Sequence, residues 1–79
     1  MGSTMERHPS GFDPSQPGVR QLQHWIRQGT SLGIELIGGT SITGLPRWVD
    51  ADFLALQTES SGEPVLLNRR AIAVIRALI

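Results

Sequence analysis

LGIELIGGTSITGLPRWVDADFLAL, residues 32–56, is the stretch that decides the fold. From Leu32 the apolar pattern has a period of two. Ile34 and Leu36 fall on one side of a strand, and Gly33, Glu35 and Ile37 on the other. Gly38-Gly39 then supplies the left-handed backbone that a tight hairpin requires. Ile42 and Gly44 carry a return strand toward Pro46-Arg47-Trp48. A glycine inside a strand marks sharp curvature or a close backbone approach. Pro46 has no amide to give to a ladder, so a bulge or an open edge is expected beside it. Val49 to Asp52 reads as a polar bend before a third strand, Phe53 to Gln57.

Outward from this core, Glu59 to Glu63 is a second turn cluster. Val65 to Leu67 is a short strand, Asn68-Arg69-Arg70 a polar break, and Ala71 to Ile75 a last strand. On the amino-terminal side, Ser15 is the expected cap of a helix with Pro17 in its first turn. Val19, Leu22, Trp25 and Ile26 form its apolar face. Arg20, Gln21, Gln23, His24 and Arg27 form the polar one, and Gly29 stands at the expected stop. Residues 1–14, rich in proline, glycine and small polar residues, read as a flexible tail before a domain at 15–79. Met1 to Thr4 resembles a cloning remnant, which makes Met5 the natural start.

The composition narrows the function. The chain has 79 residues and no cysteine, which excludes a disulfide scaffold, a cysteine-based zinc site and a thiol nucleophile. Seven basic residues balance seven acidic ones, so nucleic acid is not captured by bulk charge. No apolar run approaches the roughly 18 residues of a membrane helix, and no secretory signal opens the chain. A cytoplasmic protein without membrane insertion is expected. Asp50 and Asp52 have no nucleophile or metal partner near them in the sequence and read as bend formers. His8 and His24 make no metal site, and no metal or cofactor is expected.

One helix followed by five short antiparallel strands, bent at glycines, predicts a mostly β fold: a strongly bent sheet forming a small, partly open barrel. A foldable segment this short is marginal alone, and apolar edge strands are seldom left bare. Pairing of the fourth strand with the last strand of a neighbouring copy would build a closed ring. Val65, Leu67, Ile72 and Val74 are the expected oligomer edge.

The order of these elements resembles the bacterial Sm-like RNA chaperone (Hfq) family. Ile34, Leu36, Gly39, Ile42, Gly44 and Asp50 match its first motif, and NRRAIAVI, residues 68–75, matches its second. Arg47-Trp48, the GFDPSQPGVRQLQ lead-in and the AIAVI ending are more similar to the cyanobacterial branch. The resemblance covers residues 15 to 78. It implies an Sm-like fold in a homohexameric ring that binds RNA in post-transcriptional regulation, with no covalent chemistry.

Carried over by position, the pore side would use Asn68, Arg69, Arg70 and Asp52, where the family pattern has tyrosine, lysine, histidine and a stacking aromatic, the last falling on Ala51 instead if the bend shifts by one. The opposite face would use Glu35, Gly39, Thr40, Ile42 and Thr43, with Glu35 in place of an aromatic platform. Of the basic rim, Arg27 is retained. Carboxylates at two stacking positions imply weakened RNA surfaces and weak RNA binding. Arg20, Gln21, Arg47 and Trp48 are possible partner contacts, against the plainer readings of a solubilising helix face and of Trp48 packed under the sheet. Two function classes stay open. One is the RNA-binding regulator. The other, implied by the cyanobacterial resemblance, is a ring-shaped adaptor that docks to a type IV pilus ATPase in motility and DNA uptake. No catalytic constellation is present, so an enzyme is not expected.

Overall fold

The computed structural model describes residues 13–78. The suggested cloning remnant, the start at Met5, most of the predicted tail and His8 lie outside the described residues. Helix α1 spans Pro17–Gln28, and strands β1 to β5 span Leu32–Leu36, Ser41–Val49, Phe53–Gln57, Val65–Asn68 and Ile72–Ala77. A single 3-10 turn, Arg69–Ala71, separates the last two strands.

Both helix ends have local causes. Ser15 is not the cap: it hydrogen-bonds to the Asp13 side chain through both its amide, at 2.9 Å, and its hydroxyl, at 2.7 Å. Gln16 takes the capping position without a side-chain bond, and Pro17 follows it. At the far end Gly29 adopts φ 66°. Its amide donates to Ile26 and the Thr30 amide donates to Trp25, the paired closure that a left-handed residue makes possible. Val19 and Leu22 are buried, Trp25 is half-buried against the core, and the helix lies over β2.

The strands are ordered β4-β3-β2-β1-β5, all neighbours antiparallel. This corrects the barrel expected from the sequence. The sheet is open and not strongly curled, with β4 and β5 at opposite edges and no pairing between them. The glycine at position 44 serves a local need. β2 pairs with β1 as far as Gly44 and with β3 from Leu45 onward. A Cβ on Gly44 would fall on the Gln57 carbonyl oxygen and lie 3.0 Å from both the Gln57 carbonyl carbon and Leu56 Cγ. Close approach of β3, rather than closure of a barrel, is what this position requires.

Leu32, Ile34, Leu54 and Leu56 are fully buried and form the core with Leu22 and Leu67. Each such side chain contributes about 2 kcal/mol through burial. Two bulges interrupt the ladders. In β2, Pro46 pairs with Leu56 and Trp48 with Ala55, so Arg47 has no partner across the strand. In β5, Leu36 pairs with Ile72 and Glu35 with Val74, so Ala73 is the extra residue. As a result Ile72 and Ile75, three apart, both pack against the core, and Val74 is paired with Glu35 on the outer face.

Candidate nucleic-acid interface

The β2–β3 turn is organised by Asp50. Its Oδ1 accepts the amides of Asp52 at 2.9 Å and Phe53 at 2.7 Å, and its own amide donates to the Phe53 carbonyl. These two backbone donors, with a further contribution from Arg69, hold the Asp50 carboxyl below its ordinary value of 3.8. Asp50 is thereby a turn-former, the role its spacing suggested.

The second motif meets this turn. Arg69 Nη1 donates to the carbonyls of Asp50 at 2.6 Å and Ala51 at 3.3 Å, while its amide donates to the Asp52 carbonyl. Asn68 caps the 3-10 turn by accepting the Arg70 amide at 2.9 Å. On the other side the Ile37 amide donates to the Ala71 carbonyl at 2.7 Å. Asp52, Asn68, Arg69 and Arg70 are thus gathered at one end of the sheet. Asn68 and Arg70 are exposed, whereas Arg69 is half-buried and engaged with the neighbouring turn. That engagement was not visible in the sequence, because its partners are backbone carbonyls and carry no side-chain signature.

The opposite-face residues divide. Glu35 pairs with Ser41 and Gly33 with Thr43, placing Glu35 and Thr43 on the outer face of the β1–β2 hairpin. Gly39 takes φ 101° in the turn beside the exposed Thr40. Ile42 pairs with Ile34 and packs against the core, although it also lines an open cleft of about 730 Å³ with Thr43 and Gly44. Of the proposed edge residues, Leu67 is buried in the core of the chain, and Val65 and Ile72 pack against that core. The exposed large apolar side chains of β4 and β5 are Leu66 and Val74. The exposure of Leu66 was not legible, because the sequence does not reveal which side of a four-residue strand faces inward.

On the helix, Arg20, Gln21 and Arg27 are exposed and line an open groove with His24. Arg47 and Trp48 are exposed on β2, so Trp48 is not packed under the sheet. No cluster of three or more metal-ligating side chains occurs among the described residues. No described helix is long and apolar enough to cross a membrane.

With this geometry in place, comparison with known proteins is specific. No curated protein matches the chain. A crystal structure of an Hfq protein from Anabaena sp. superposes with a TM-score of 0.70 at 30% identity, covering 81% of this chain and 100% of that one. The 1.55 Å crystal structure of the pleiotropic translational regulator Hfq gives 0.68 at 17% identity, covering 75% and 86%. The second likeness, at that identity, speaks to fold alone. The family described as "Hfq related" matches residues 16–77, from the cap of α1 to the end of β5, and the chain belongs to that family.

Proposed function

We propose that this protein is an RNA-binding subunit of a ring of identical copies, six as in the family pattern, acting in post-transcriptional regulation. Family membership supports RNA binding and regulation in general and a non-catalytic role. The observation that carries the reading for this chain is the clamped Arg69-Arg70 turn. It fixes one arginine against backbone carbonyls and leaves the next one exposed to meet a phosphate or stack on a base. Ring formation is supported by two unpaired edges bearing exposed Leu66 and Val74, which pairing of β4 with β5 of the next copy would cover. Glu35 and Asp52 in place of aromatics weaken base stacking on both faces. That same pair favours a second reading, in which the ring acts as an adaptor for a type IV pilus ATPase with little RNA binding.

Fluorescence anisotropy with uridine-rich and adenine-rich RNAs at about 0.15 M salt separates the two readings, because phosphate contacts are strongly salt-dependent. Weak but measurable binding of uridine-rich RNA is expected. Arg70→Ala weakens that binding without changing thermal stability, whereas Arg69→Ala also lowers stability by about 1 kcal/mol through loss of its carbonyl contacts. Absence of binding to either RNA overturns the regulator reading and leaves the adaptor.

A further inference from the structure

The bulge in β2 has a consequence for the outer surface. In a regular strand, Arg47 and Trp48 would point to opposite faces. Because Arg47 is the unpaired residue of the bulge, both are exposed and both line one cleft against helix α1. The cleft, about 350 Å³, is completed by Gln23, Ile26 and Arg27 of the helix and by Val49. Ile26 and Val49 are half-buried, and Trp48 is 43% exposed.

We propose that this cleft is a docking site for an acidic protein segment carrying a large apolar side chain. The indole of Trp48 with Ile26 and Val49 supplies an apolar seat, and Gln23 offers an amide to a passing backbone. Arg27 and Arg47 supply two guanidinium forks suited to carboxylates. Neither α1 nor β2 contains an aspartate or glutamate, so neither arginine is neutralised from its own element. Tryptophan and arginine beside an apolar seat are the residues on which protein contacts concentrate their binding energy.

Single-stranded RNA fits the same place less well. The cleft offers a base a single aromatic face, the indole of Trp48, and its other apolar residues are aliphatic. A strand leaving past Val49 would meet the Asp50 carboxylate, held ionised by its backbone donors. A short peptide needs only the cleft itself. The proposal does not rest on RNA binding at Arg70 or on a particular ring size.

The test is selection of phage-displayed random peptides on the full-length protein, followed by anisotropy of the most enriched labelled peptide. Aspartate or glutamate flanking an aromatic or branched apolar residue is the expected consensus. Arg47→Glu and Trp48→Ala should each weaken the selected peptide at least about tenfold. Arg47→Glu alters an exposed side chain and carries the test if Trp48→Ala fails to fold, with circular dichroism reporting the fold. Selection without acidic residues, or affinity unchanged in Arg47→Glu, overturns the proposal. So does a single-stranded RNA that binds with an affinity dependent on Arg47 and Trp48 while no peptide is enriched.

Discussion

Replacing Gly44 by alanine tests the close approach of β3 to β2 at that position. The added Cβ would fall on the Gln57 carbonyl oxygen, with the Gln57 carbonyl carbon and Leu56 Cγ at 3.0 Å. The Leu56 side chain can turn aside, but a backbone carbonyl in the β2–β3 ladder cannot. The two strands must therefore separate where β2 exchanges one partner for the other. Overpacking of this kind costs about 3 kcal/mol, offset by roughly 0.5–1 kcal/mol from the smaller freedom of alanine in the unfolded chain. The net loss of about 2 kcal/mol corresponds to a fall in melting temperature of about 8–16 °C for a domain of this size. Thermal unfolding followed by circular dichroism measures it, at fixed protein concentration because any self-association would shift the midpoint. Gly18→Ala is the control: nothing lies within 4 Å of its Cβ position in α1, and its midpoint should hold or rise. A Gly44→Ala protein melting within about 2 °C of the parent would refute the close-approach argument.

Two further outcomes follow from residues already described. Because the folded pKa of Asp50 is depressed, its stabilisation is present above 3.8 and is lost as pH falls through the folded value. Asp50→Ala should therefore melt below the parent at neutral pH, with the gap closing in acid. A gap that stays constant down to about pH 2 would show that the carboxylate charge has no part in the turn. Leu66→Asp, at a side chain 51% exposed on the β4 edge, should leave the fold of one subunit within about 0.5 kcal/mol of the parent. Light scattering should then give a lower assembly mass, and an unchanged mass would remove the β4 edge from self-association.

What the sequence revealed was what local chemistry determines. Gly29 ends the helix and Gly38-Gly39 turns the hairpin because both need positive φ, a demand that shows in the residue type. The helix face of Val19 and Leu22 and the core positions Ile34 and Leu36 follow from periodicity. The cap was misassigned because Asp13, two residues earlier, captures the Ser15 hydroxyl. Nothing local in the last strand announces that a single inserted residue, Ala73, breaks the alternation between Ile72 and Val74. Pro46 did announce irregularity in β2, although only the ladder shows that Arg47 is the residue set free. The barrel expected from the glycine bends does not form, because closure depends on where distant edge strands lie and not on local bends. The candidate positions Asn68 to Arg70 could be picked out from the sequence, but not that Arg69 would be held by the carbonyls of Asp50 and Ala51 while Arg70 stays exposed.

The 3-10 turn at Arg69–Ala71 joins segments adjacent in sequence that form the two outermost strands of the sheet. It is held from both sides, by Ile37 on one hairpin and by the carbonyls of residues 50 to 52 on the other. Three residues therefore act as a protractor. In any head-to-tail assembly through the outermost strands, the angle between them divides the circle and fixes how many copies close it. Loosening Arg69 would widen the spread of that angle, and a population of one size would become a mixture of neighbouring sizes. The copy number would then be encoded in a short connection rather than in the contact surfaces themselves.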